Sequence, residues 1–180
     1  MNTQKTLNKT LLKKIKDLAY LKGDFTTRAG KKTSYYIDKY LFETDPFTLN
    51  LLADELVQLF PDPSTYDRIA APELGAVAIA AVVSIKLNKP FIIVKKQQKD
   101  YGTQKFIEGA YKKGDKMVLL EDILTTGGTA IKSAKILNDL GITVTEVIGV
   151  IDREEGALAN FKKENLPVKA LLTKTDLEST

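Results

Sequence analysis

The feature that most constrains this chain is a succession of short apolar runs with almost no polar interruption. They are Arg68-Ile69-Ala70-Ala71, Phe91-Ile92-Ile93-Val94, Met117-Val118-Leu119-Leu120, Val144 to Ile151 and Val168 to Leu172. A strand wetted on one face alternates apolar with polar residues. Largely unbroken, β-branched runs instead predict strands buried on both faces. Ala76 to Leu87 lies between the first two runs, and Ala130 to Leu140, closed by Gly141, lies between the third and fourth. Both stretches have helical length. Buried strands alternating with helices predict an α/β fold built on a parallel sheet. In such sheets ligands sit at the carboxyl ends of the strands, so the loops that follow strands are where function is expected.

Ahead of this alternation, residues 3–22 carry Leu7, Leu11, Leu12, Ile15, Leu18 and Ala19 at helical spacing, with Gly23 as an expected C-cap. Phe25-Thr26-Thr27 and Thr33 to Ile37 read as short strands around an Ala-Gly-Lys-Lys turn. Asp45-Pro46 reads as an N-cap followed by proline at the first helical position, opening a helix to about Phe60. Residues 95–115 are polar, rich in Lys, Gln and Gly, and have no clean period. No repeat or low-complexity linker interrupts the 180 residues, which are expected to form one domain with a sizeable core.

Composition narrows the chemistry. There is no His, no Cys and no Trp. This excludes an imidazole base, a Ser-His-Asp triad, a thiolate nucleophile, a disulfide framework and zinc sites built on His or Cys. Catalysis is left to Lys, Arg, carboxylates, hydroxyls, backbone amides or an oxygen-held metal. The net charge of +4 suits anionic small molecules as well as a weak nucleic-acid surface. The longest apolar stretch, Ala76 to Val83, is far short of a membrane span, and the N-terminus lacks the apolar core of an export signal. The expected compartment is the cytoplasm.

The strongest local signal is Val118-Leu119-Leu120-Glu121-Asp122-Ile123-Leu124-Thr125-Thr126-Gly127-Gly128-Thr129. Here a buried strand is expected to end in two acids, followed by a turn of hydroxyls and glycines and then a helix. Glycines let backbone N–H groups approach an anion, and the helix start adds unpaired N–H groups and a positive dipole end. Thr125, Thr126 and Thr129 can donate hydroxyl hydrogen bonds, and the two acids can accept from sugar hydroxyls. Neither a Walker loop nor a Gly-x-Gly-x-x-Gly fingerprint is present. The bland alternative is a plain strand-to-helix connection with Thr as N-cap.

This segment resembles the phosphoribosyl-pyrophosphate (PRPP) signature of type I phosphoribosyltransferases. Other segments narrow the resemblance to the orotate phosphoribosyltransferase family. Phe25 to Asp38 is similar to that family's N-terminal substrate segment, Lys95 to Gly102 to its mobile catalytic loop, Ile107-Glu108-Gly109 to the return from that loop, and Ile151 to Gly156 to its Asp-Arg-x-x-Gly turn. The matches span about residues 25–156 in the family's order. The resemblance implies a type I phosphoribosyltransferase fold: a central, mostly parallel sheet flanked by helices, an N-terminal helix and hood over about residues 1–45, and a mobile catalytic loop. It also implies transfer of 5-phosphoribosyl from PRPP to N1 of orotate, with Mg²⁺ held mainly by the substrate rather than by a protein metal site.

By resemblance, the PRPP-binding residues are Lys95, Lys96, Lys99, Tyr101 and the segment Glu121, Asp122, Ile123, Leu124, Thr125, Thr126, Gly127, Gly128 and Thr129. Lys99, with Lys96, would be catalytic, neutralising the departing pyrophosphate or donating a proton to it. Glu73, Leu74 and Gly75 correspond to the pyrophosphate loop. Some members carry a lysine where this chain has Leu74, which leaves the backbone amides to act. Arg28, Tyr35, Tyr36, Thr125 and Arg153 would meet orotate. An ion pair with Glu154 or Glu155 is the alternative for Arg153, and edge packing is the alternative for the tyrosines. Many members have His where this chain has Tyr101, so no imidazole-like ionisation is expected in the rate profile. The implied partners are PRPP, orotate and a second copy of the chain, whose active site the mobile loop would reach, with no nucleic acid and no membrane. The other readings are transfer to a different base, a PRPP-binding regulator on the same fold and, more distantly, a nucleic-acid-binding module.

Overall fold

The computed structural model describes residues 8–26, 30, 32–96 and 106–179. Helix α1 (Lys9–Ala19) opens on Asn8, whose side chain accepts from the backbone N–H groups of Thr10 and Leu11. It stops at Ala19, short of the expected Gly23 cap. Tyr20 and Leu21 leave the helix to pair with Ile37 and Tyr36, so strand β1 (Tyr20–Thr26) begins at once against strand β2 (Lys32–Ile37). The stacked rings of Tyr20 and Tyr35, 5.4 Å apart, supply packing that a further helical turn would forgo.

A short helix that the periodicity did not announce, α2 (Lys39–Glu43), leads into α3 (Pro46–Val57). The start of α3 is as expected: Asp45 accepts from the backbone N–H of Thr48 at 2.8 Å, and proline follows it. Strand β3 (Arg68–Pro72), helix α4 (Gly75–Leu87) and strand β4 (Phe91–Val94) then alternate. After β5 (Ile107–Glu108) come β6 (Lys116–Leu124), α5 (Gly128–Asp139), β7 (Thr143–Asp152), α6 (Ala157–Lys163), β8 (Val168–Thr173) and α7 (Lys174–Glu178).

Among the described residues, β3 to β8 form one sheet in the order β5-β4-β3-β6-β7-β8. All neighbours are parallel except β4 with β5, so the sheet is mostly parallel, as expected. Each face carries its own core. One packs the sheet against Leu11, Ile15, Leu52, Leu56 and Ile79, and the other packs it against Ala134, Leu137 and Phe161. The strands are therefore covered on both sides, which is why their apolar runs do not alternate. The chain winds outward from β3 to β4, then resumes on the other side of β3 with β6. The order reverses between β3 and β6, and a crevice opens where their carboxyl ends part.

Candidate active site

The first wall of the crevice is β6. Its acids were expected at the strand's end, yet the strand runs on to Leu124 because pairing with β7 continues to Asp152. Glu121 and Asp122 therefore sit on rigid backbone, with 7% and 4% of their surface exposed. Burial, then the charge of Asp122 and a hydrogen bond to it, push the Glu121 carboxyl well above the usual carboxylate range. Glu121 Oε2 is buried and has no hydrogen-bond partner among the described residues. A buried polar atom left this way is costly unless something supplies the missing bond, and a ligand hydroxyl would do so.

Beyond Leu124 the chain turns through Thr125 and Thr126 to Gly127, which caps α5 in the left-handed conformation, φ 78°. A Cβ at Gly127 would stand 2.7 Å from the Phe161 ring, so both backbone angle and packing require glycine here. Asn160 Nδ2 donates to the Thr126 carbonyl at 2.9 Å and holds the turn. The expected bland alternative, a Thr N-cap, is not what forms. The cap residue is glycine and no side chain bonds the first N–H groups of α5. Those donors face a recess lined by Glu121, Thr125, Gly127, Gly128 and Thr129, which suits a phosphate dianion.

The second wall is the loop after β3. Its Glu73–Leu74 peptide is cis, and the Leu74 side chain is 65% exposed. Glu73 accepts from the backbone N–H of Lys96 at 2.8 Å, tying the loop to the residue just past β4. Lys95 is buried, with its ammonium on Glu108 at 2.8 Å. Lys99, Tyr101 and Arg28 lie outside the described residues.

The third wall comes from β7 and the β1–β2 ribbon. Arg153 donates its backbone N–H to the Leu124 carbonyl at 2.8 Å, which sets it beside the Thr-Gly turn. Its Nε donates to the Tyr35 hydroxyl at 3.2 Å, and its guanidinium lies 5.1 Å from the centre of that ring. It also pairs with Glu155 at 2.8 Å. The ion pair that was the alternative for Arg153 therefore forms, with the arginine side chain 14% exposed and the glutamate 40%. Tyr35 and Tyr36 separate: Tyr35 is buried against Arg153 and Tyr20, while Tyr36 is exposed and tilts onto Phe25. Arg68, the remaining described arginine, is engaged with Asp115 at 2.7 Å.

Sequence reasoning missed Lys39 and Glu43. Lys39 Nζ pairs with Asp122 Oδ2, and Glu43 is 2% exposed with Oε1 unpartnered among the described residues. Burial alone would lower the Lys39 ammonium, but the charge of Asp122 and its hydrogen bond outweigh that and hold it above its ordinary value. The four-residue spacing of Lys39 and Glu43 shows only that they share a helix face. The partner of Lys39 is 83 residues away.

Comparison with known proteins agrees with this arrangement. Residues 49–165, more than half of the chain, match the family described as phosphoribosyl transferase domain. The chain is 40% identical over 155 residues to the orotate phosphoribosyltransferase of Methanocella arvoryzae, covering 86% of this chain and 87% of that one. The chain belongs to the orotate phosphoribosyltransferase family. A second orotate phosphoribosyltransferase, from Pyrococcus horikoshii, is 44% identical over 156 residues, covering 86% of this chain and 84% of its own. The solved orotate phosphoribosyltransferase of Aeropyrum pernix superposes with a TM-score of 0.83 at 30% identity, covering 94% of this chain and 96% of that one. The sheet order and flanking helices are those of the type I phosphoribosyltransferase fold. The chain is accordingly an enzyme of this transferase family.

Proposed function

We propose that this orotate phosphoribosyltransferase family member transfers the 5-phosphoribosyl group from PRPP to N1 of orotate. The products are orotidine 5′-monophosphate and pyrophosphate, and the step belongs to pyrimidine biosynthesis. The observation that carries the reading is the unpartnered buried oxygen of Glu121, beside Asp122 and adjoining the uncapped start of α5. An acid pair that needs hydroxyl partners, next to a cradle that needs a phosphate, matches the two ends of a 5-phosphoribose.

In this reading the N–H groups and hydroxyls of Thr125 to Thr129 bind the 5′-phosphate, and Glu121 and Asp122 bind the ribose hydroxyls. The backbone of Glu73 to Gly75, with Lys95, Lys96, Lys99 and Tyr101, binds the pyrophosphate. Arg153, Tyr35, Tyr36, Thr125 and Arg28 hold orotate, whose carboxylate and carbonyls fit a guanidinium fork. N1 of orotate displaces pyrophosphate at C1 through a transition state of oxocarbenium character. No covalent enzyme intermediate is needed, so the protein's work is alignment and electrostatic stabilisation. Lys99 and Lys96 offset the charge that grows on the leaving group.

Mg²⁺ fits this site as an ion that arrives with the substrate. Asp122 is engaged by Lys39 and Glu121 favours its neutral form, so the acid pair makes a weak cage of its own. When bound, the ion would supply positive charge to offset the negative charge of the diphosphate. No helix among the described residues is long and apolar enough to cross a membrane. We assign the chain to the cytoplasm as a homodimer in which the segment after Lys96 reaches the neighbouring site. An apolar stripe supports the dimer: Leu74, Ala78, Val82 and Ile85 follow one another at helical spacing, with Leu74 and Ile85 65% and 80% exposed. The stripe starts in the pyrophosphate loop itself.

The test is loss of orotate absorbance with PRPP and Mg²⁺ and the pyrophosphate released with it. One pyrophosphate per orotate is the expected result. Release with another base, and none with orotate, would overturn it. Arg153→Ala should raise the KM for orotate roughly 10- to 100-fold, as loss of a charge-assisted hydrogen bond does, with a much smaller change for PRPP. Equal losses for both substrates would remove Arg153 from the base site.

A further inference from the structure

Lys39 stands at the meeting point of the three walls. It begins α2, directly after β2 of the ribbon, and its ammonium reaches Asp122 on β6. The gap it crosses is kept open by Gly75 at the start of α4. A Cβ on Gly75 would fall 1.5 Å from Asp122 Oδ2 and 2.4 Å from Lys39 Nζ. The ion pair is therefore seated on bare backbone, where α4 presents its unpaired N–H groups and positive dipole end. One turn along α2, Glu43 faces the same cluster from below. Burial, then the charge of Asp122, push its carboxyl up to about 8. Glu43 thus offers Lys39 little charge of its own near neutrality, and Asp122 is the carboxylate on which Lys39 closes. The other oxygen of Asp122 accepts from the backbone N–H of Ile123 at 2.6 Å, so both ends of this carboxylate are fixed.

The geometry points to Lys39 as a positioning residue for PRPP: by pairing with Asp122 beside Gly75, it fixes the carboxylate that receives the ribose hydroxyls and ties α2 to β6. The inference rests on the proposed function above. Lys39 acts through Asp122 and not on the reacting atoms. Its loss leaves a buried carboxylate without its cation, free to rotate off the hydroxyls or to take up a proton. Lys39 has its ion pair on Asp122, whereas Arg153 of the base site bonds Tyr35 and Glu155, so the change removes no contact of Arg153.

The experiment is a kinetic comparison of the whole enzyme with Lys39→Met and Lys39→Arg. For Lys39→Met, kcat/KM for PRPP should fall roughly 10- to 100-fold, the range for a lost charge-assisted hydrogen bond. The KM for orotate should stay within about twofold, and Lys39→Arg should recover most of the loss. Gly75→Ala, whose Cβ intrudes on the pair, should show the same PRPP-selective loss. The decisive arm is Asp122→Asn: adding Lys39→Met to it should cost little more, because the two changes break one interaction. Equal losses for both substrates, additive losses in the double variant, or unchanged kinetics in Lys39→Met would each overturn the inference. Calorimetric titration with PRPP alone separates it from the functional reading. If the parent chain binds PRPP but does not consume orotate, the assignment of base fails. Weaker PRPP binding by Lys39→Met would still uphold Lys39, and unchanged binding would overturn it.

Discussion

Glu43 is where burial changes residue chemistry most plainly. Its ordinary carboxyl value is 4.5, and burial followed by the charge of Asp122 moves it up to about 8, against the opposite pull of Lys39. The folded chain therefore holds this proton more tightly than the unfolded chain does. The stability linked to it is complete below about pH 4.5 and is lost as pH rises through about 8. The melting temperature of the parent should fall across that window relative to Glu43→Gln, whose amide keeps the neutral shape and does not titrate. Parallel curves for the two proteins would mean that Glu43 is ionised in the fold. The sequence carried no sign of this, since its periodicity did not announce the helix that carries Glu43. The shift depends on Asp122, which is distant in sequence. By contrast, Glu121 and Asp122 were legible as candidates from their type and place after a buried strand, and Arg153 from the resemblance of its turn to the family's.

At the scale of elements, local rules worked where the backbone answers to its own residues. Asp45-Pro46 opened α3, and Gly141 closed the turn after α5 with φ 78°. They failed where a neighbour intervened. The N-terminal helix stopped at Ala19 because β1 had a partner strand waiting, and β6 ran through its acids because β7 continued beside it. The turn between β6 and α5 combines both influences. The sequence suggested a glycine turn here for close approach of backbone N–H groups; the structure adds that Gly127 takes a positive φ and lies against Phe161. Gly127→Ala should cost more than the roughly 1–2 kcal/mol of left-handed strain alone, since the ring must also move. Equilibrium denaturation should report this as a lower midpoint with an unchanged slope. A variant as stable as the parent would mean that the turn re-forms without its left-handed residue.

For the whole molecule, the open question is what covers the apolar stripe on α4. A 13-residue helix whose one charged residue is Lys86 is expected to be buried all round, yet Ile85 is 80% exposed. A second copy laid on this stripe would bring its own chain to the loop after β3, where the same stripe begins at Leu74. Analytical ultracentrifugation should find a dimer for the parent and a monomer for Ile85→Asp, with activity lost alongside. In a monomer so exposed a position would tolerate aspartate within about 0.5 kcal/mol. A variant that stays dimeric would place the interface elsewhere.

The sequence by itself determined the class of sheet, the order of its buried strands and helices, and the Thr-Gly turn proposed to bind phosphate. These follow from periodicity, from glycine's backbone freedom and from residue type, all of which act over a few positions. Only the tertiary structure decided which strand ends meet. The reversal between β3 and β6 brings Gly75 against Asp122, α2 carries Lys39 to them, and the ribbon sets Tyr35 against Arg153. Electrostatic coupling and desolvation depend on distance in space. A lysine and an aspartate 83 residues apart become one ion pair only when the sheet order has closed the distance between them.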